Sequence, residues 1–183
     1  MKKFFFKPFG AILLTILLIF SAVWLGARSS LLALQNTALT YFHSGDKNGK
    51  GIQYDLDRIL EETYNLNKLL SRYLPESDEN LKASVAAREA LKNATTIPGK
   101  YERLQELSAA VDNLYNATAD IQMRNKNDEN NRKGFYSNIR SEGLIIGKSP
   151  YNEQARKVNQ AMEDFPASLL RRITFVKPME VFQ

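Results

Sequence analysis

The chain has 183 residues, with 25 lysines and arginines against 20 aspartates and glutamates, one histidine and no cysteine. These counts exclude a disulfide framework, a thiolate zinc or iron–sulfur site, a cysteine nucleophile and any multi-histidine metal cluster. Apolar residues at 44% and charged residues at 25% suit one folded domain with an appendage, and fit neither wholesale disorder nor a polytopic membrane protein.

The formal charge of +5 is unevenly placed. Lys2, Lys3, Lys7 and Arg28 flank the N-terminal segment, no acidic residue precedes Asp46, and the remaining 21 basic and 20 acidic residues nearly balance. Such a mixed remainder lacks the basic footprint of a nucleic-acid-binding surface. Phe9 to Ala27 (FGAILLTILLIFSAVWLGA) is a run of 19 residues without a charge. At about 1.5 Å per helical residue it is long enough to cross a ~30 Å hydrocarbon core. We therefore expect contact with the lipid bilayer through Phe9 to Ala27. The lysines ahead of that run predict a cytoplasmic N-terminus with the rest of the chain outside. Phe4, Phe5 and Phe6 at one end and Trp24 at the other sit where aromatic rings favour headgroups. A cleaved signal peptide is the competing reading. Its apolar region is usually only ~7–15 residues long and is followed by a small-x-small site, whereas Leu25-Gly26-Ala27 begins with a bulky residue. No second apolar run of spanning length follows, so a single pass is expected.

Beyond the anchor, Ser29–Phe42 continues helical composition as a stalk, and HSGDKNGKG (43–51) reads as a loop. Leu56, Ile59, Thr63, Leu66, Leu70 and Tyr73 alternate steps of three and four, which lines all six along one helical face. Pro75 should interrupt that helix before composition resumes at Leu81. ATTIPGK (94–100) predicts a second break. Leu104, Leu107, Val111, Leu114, Thr118 and Ile121 then repeat the alternation expected of helices crossing at small angles. RNKNDENNRK (124–133) is wholly polar and reads as a loop or solvated turn. In the segment after it, Phe135, Ile139 and Ile146 share a possible helical face that Gly143 and Gly147 oppose. Ser149 as N-cap and Pro150 at the first position open a last helix, with Tyr151, Ala155, Val158, Met162 and Phe165 as its buried stripe. Pro166 ends or bends it. The tail RRITFVKPMEVFQ either packs along the other helices or lies on lipid headgroups, and packing is favoured because Pro178 breaks any amphipathic period. No period-two segment indicates a strand. The predicted class is all-α: an N-terminal transmembrane helix followed by an antiparallel bundle of about four long helices. The expected organisation is a basic N-terminus and anchor (1–28), a stalk and loop (29–50), and a helical bundle with an aromatic and basic tail (51–183).

Residue chemistry gives little to catalysis. His43 has no second ligand at helical spacing. Asp46, Asn48, Gly51 and Asp57 fall at positions one, three, six and twelve of a calcium-loop pattern, but Lys50 takes the fifth position, where a positive charge repels the ion. The pairs Glu61/Glu62, Asp78/Glu79 and Glu163/Asp164 read as solvated faces. Tyr64, Tyr73, Tyr101, Tyr115 and Tyr151 read as core and core edge. Asn65, Asn152 and Asn159, near buried seams, are expected to fix helix register by demanding a polar partner, so that Asn159→Leu should raise stability while loosening packing. No catalytic, cofactor-binding or metal-binding residue is assigned.

The C-terminal residues Tyr151-Asn152, Asn159, Phe165-Pro166, Leu169, Lys177-Pro178 and Phe182 resemble, at unchanged spacing, the LemA family of bacterial membrane-anchored helical proteins. Leu56, Arg58, Asn65-Leu66, Tyr73, Leu81 and Ala87-Arg88 are similar to a second block of that family, and Leu107-Ser108 to a third. Glu61-Glu62-Thr63-Tyr64 departs from the family's Asp-Leu-Ile-Pro, and no tyrosine-proline stretch follows the third helix. The resemblance implies a helical bundle on one membrane helix in the bacterial inner membrane, with no enzymatic activity to carry over. The expected function is a non-enzymatic envelope scaffold or protein-interaction module, with an unidentified envelope protein or a second copy as partner. The alternative is an extracytoplasmic ligand sensor acting through a partner.

Overall fold

A computed structural model describes residues 8–45 and 49–183. The described residues form helices and no strand: α1 Pro8–His43, α2 Ile52–Leu70, α3 Glu79–Asn93, α4 Ile97–Ala117, α5 Lys126–Gly147, α6 Tyr151–Glu163 and α7 Ala167–Thr174. Two compact units divide the chain. One takes the described residues up to Ala38 with Gln154–Met179, and the other takes Leu39–Glu153 with Glu180–Gln183.

In the second unit α2 packs on α3 and α5, and α4 packs on α3 and α5. The predicted seams make these contacts. Leu56, Ile59, Thr63, Leu66 and Leu70 of α2 are buried, as are Leu104, Leu107, Val111 and Leu114 of α4 and Thr118 just beyond it. Tyr73 and Ile121 lie past their helix ends and are only half-buried. Each fully buried leucine contributes roughly 1.5–3 kcal/mol. Asp78 caps α3, its Oδ1 accepting from the Leu81 N–H at 2.9 Å. Gly51 opens α2 because a Cβ there would lie 2.5 Å from the Phe42 carbonyl oxygen.

Several expectations need correction. The polar run 124–133 is mostly helix: α5 begins at Lys126, with Asn125 Oδ1 accepting from the Asp128 N–H at 2.8 Å. Asp128 and Glu129 favour the positive N-terminal end, and Glu129 pairs with Arg132 and Lys133 one turn on, at 3.1 and 2.9 Å. Helical continuity through Gly143 to Gly147 is carried by buried Ile139 and Ile146. The break at 94–100 shrinks to Ala94–Thr96, because Thr96 caps α4 and Pro98 sits in its first turn, where a missing N–H costs nothing. His43 is the last residue of α1 rather than a loop residue.

In the first unit, Leu31, Met162 and Val176 form the core, with Val158, Ala167 and Leu170 packed around it. The stalk expectation is met in part, since α1 does continue without a break through Ser29–Phe42. That stretch is not free-standing, because Leu31 and Ala38 are buried. Phe165, expected in the buried stripe of α6, is 84% exposed, since α6 ends at Glu163.

Candidate functional site

The apolar half of α1 is exposed from Ala11 to Phe20, where Leu18 is as open to the surroundings as Ile16 and Phe20, and it becomes half-buried only along Ser21, Trp24 and Ala27. This helix is long and apolar enough to cross a membrane by length and composition. At the end of that stretch its side chains change role. Trp24 Nε1 donates to the Ile173 carbonyl at 3.1 Å, Arg28 Nη1 to the Thr174 carbonyl at 2.7 Å, and Gln35 Nε2 to the Lys177 carbonyl at 2.6 Å. The first two acceptors are carbonyls at the C-terminus of α7, which have no partner within their own helix. The Arg28 guanidinium also meets the negative end of the α7 dipole. Sequence reasoning missed this, because the partners lie nearly 150 residues apart.

Asn152 and Asn159 have partners other than those expected. Asn159 Oδ1 accepts from the Met179 N–H at 2.7 Å while its Nδ2 donates to the Met179 carbonyl at 3.0 Å. In the other unit Asn152 treats Phe182 the same way, at 2.7 and 2.8 Å. Each asparagine therefore satisfies both backbone groups of one extended tail residue, as a neighbouring strand would. These asparagines set the register of a helix against its own tail and not of helix against helix. Asn65 is half-buried on α2, and the buried asparagine there is Asn67, whose Oδ1 accepts from Ser84 Oγ of α3 at 2.9 Å.

The second unit also carries a groove of about 360 Å³ between α2 and α3, lined by Tyr64, Asn67, Lys68, Val85 and Arg88 among others. Asn67 Nδ2 is buried there with no partner, and the Arg88 guanidinium lies 5.2 Å from the centre of the 49%-exposed Tyr64 ring. Tyr64 thus belongs to a surface and not to the core. Tyr151 is fully buried and its hydroxyl donates to the Glu180 carbonyl at 2.6 Å. Burial, then the Glu180 charge, pushes that phenol up to about 12. Tyr115 stacks on Tyr136 at 3.8 Å.

The acid pairs are partly employed in structure: Asp78 caps α3, and Glu62 accepts from Asn138 Nδ2 at 3.1 Å and lies 3.6 Å from Arg58. A different acid stands out. Asp55 is buried on α2, and desolvation, followed by the neighbouring Glu142 charge, raises its pKa to about 6. At the start of α5, Asp128 accepts from the Tyr73 hydroxyl and from Arg72, and buried Arg132 donates to the Thr118 carbonyl at 3.0 Å. The Asn125-x-x-Asp128 capping pattern was the available signal for this network. Of the calcium-loop pattern, Asp46 and Asn48 lie outside the described residues. Asp57 is on α2, and Lys50 Nζ sits 3.7 Å from the Tyr54 ring centre. Among the described residues no group of three or more acidic or histidine side chains is placed to hold a metal ion. No protein-family model matches the chain, and comparison with curated proteins gives no match.

Proposed function

We propose that this chain is a single-pass membrane protein whose helical domain works as a scaffold or interaction module for envelope proteins, self-assembling on the membrane. The observation that carries this reading is the two-part character of α1. Its apolar stretch from Ala11 to Phe20 is exposed throughout, while from Trp24 onward the same helix donates to the carbonyls of Ile173, Thr174 and Lys177. A soluble protein would not leave so long an apolar surface open. In this reading α2–α5 form an antiparallel four-helix bundle, the N-terminus is cytoplasmic, the bundle lies outside the bacterial inner membrane, and the chain is a divergent LemA relative. The anchor confines the domain to a surface, so weak helix-face contacts suffice.

A sensor is the second reading, favoured by the α2–α3 groove with its unpartnered Asn67 Nδ2. Photo-crosslinkers on exposed faces of α3 and α5 in intact cells, with adducts identified by mass spectrometry, test the first reading. A reproducible foreign envelope protein or a ladder of the chain itself supports it. Adducts confined to small molecules at the groove residues Tyr64 and Val85 would favour the sensor.

A further inference from the structure

α7 and the residues flanking it present an apolar surface that the first unit does not use. Ala167, Leu170 and Thr174 face inward, whereas Leu169 and Ile173 are 53% and 37% exposed, and Phe165 and Phe175 at either end are 84% and 82% exposed. Phe175 is also held in the left-handed region, at φ 57° and ψ 29°. That conformation suits glycine and is costly for an aromatic residue, and no core contact for the ring offsets the cost.

Charge and placement identify what covers this surface. From Phe165 to Met179 the chain has Arg171, Arg172 and Lys177 and no acidic residue. The C-terminal carbonyls of α7 are bonded to Trp24 and Arg28, the residues at which the uncharged run of α1 gives way to the first charge. Within this unit, α7 therefore lies level with the membrane–water boundary that α1 defines if it spans. A short helix with exposed apolar side chains, arginines beside them and an interfacial tryptophan has the chemistry of an interfacial helix.

We propose that Phe165, Leu169, Ile173 and Phe175 insert into the boundary of the bilayer that α1 crosses, with Arg171 and Arg172 on anionic phospholipid headgroups. This rests on the membrane reading above and adds a second lipid contact to it. It also favours the headgroup alternative for this part of the tail over packing alone.

The chain lacks cysteine and has one tryptophan, so the test is direct. Full-length Leu169→Cys and Phe175→Cys variants carry bimane in vesicles of phosphatidylcholine, alone or with phosphatidylglycerol, and brominated acyl chains serve as quencher. Trp24 reports α1 in the same vesicles. The expected result is quenching of Trp24 and of both labels, with the labels quenched more strongly when phosphatidylglycerol is present. Arg171→Gln and Arg172→Gln should each lower the ratio of docked to undocked α7 about fivefold in the anionic vesicles. Phe175→Gly keeps the left-handed turn while deleting the ring, and should reduce quenching of the Leu169→Cys label. Unquenched labels beside a quenched Trp24 overturn this proposal and leave the anchor standing. Label quenching that is equal in the two lipids overturns the assignment to anionic phospholipid. An unquenched Trp24 overturns the membrane reading itself, and this proposal with it.

Discussion

Replacing Asn159 tests whether the tail is held by side-chain mimicry of a strand. The amide makes two hydrogen bonds to one residue, at 2.7 Å from the Met179 N–H and 3.0 Å to its carbonyl. Each such bond is worth about 0.5–1.5 kcal/mol net, and Met179 is left with unpaired backbone groups when they go. Asn159→Ala should therefore cost about 2–3 kcal/mol, and exchange of the Met179 amide should quicken by more than about tenfold. Asn159→Leu should cost as much, which reverses the gain in stability that an asparagine on a plain helix–helix seam implies. Asn159→Asp separates the two bonds. It keeps the acceptor but faces the Met179 carbonyl with a carboxylate oxygen, so its folded pKa is raised above the ordinary ~3.9. The penalty is then absent at low pH, sets in as pH rises through that value and is complete above the folded pKa. Thermal unfolding in detergent micelles and hydrogen exchange of the C-terminal peptide measure both effects. Variants within about 0.5 kcal/mol of the parent, with Met179 exchange unchanged, would refute the reasoning.

Asp55→Asn should stabilise the protein at neutral pH by roughly 1–3 kcal/mol, because a carboxylate whose pKa is raised from 3.8 to about 6 favours the folded state only when protonated. Relative to the variant, the parent should lose stability as pH rises from about 4 to about 6 and stay lower above that; parallel pH profiles would show that Asp55 is not the titrating group. Asn125→Ala should cost about 1 kcal/mol and speed exchange in the first turn of α5, with no change expected if 124–133 were a loop. Gly51→Ala should cost more than about 2 kcal/mol because its Cβ meets the Phe42 carbonyl oxygen at 2.5 Å. Gly134→Ala, in open space on α5, should gain about 0.5–1 kcal/mol; unfolding midpoints of the pair check both.

Periodicity made the fold class legible wherever one helical face is buried by leucine, as along Leu56–Leu70 and Leu104–Leu114. It failed at 124–133, where the buried residues of α5 are Asp128 and Arg132. A polar run hides a helix when its inward face is held by ion pairs and caps instead of carbon. The candidate surfaces were legible only at the level of α1, whose uncharged run needs no partner to be recognised. What Trp24, Arg28, Asn152 and Asn159 bind was not, because each meets a backbone group of the distant tail, and such a contact leaves no trace in local spacing. Phe165 was misplaced for a related reason: its position continues the stripe of α6, but the helix stops before reaching it.

Membrane integration with an outward-facing domain is the central claim, and thiol labelling in a chain without cysteine tests it most directly. Ser137→Cys, exposed on α5, should react with an impermeant maleimide in intact cells and stay with carbonate-washed membranes, whereas Lys3→Cys should react only after lysis. A Ser137→Cys thiol shielded until lysis, or a labelled chain released by carbonate, would contradict the account.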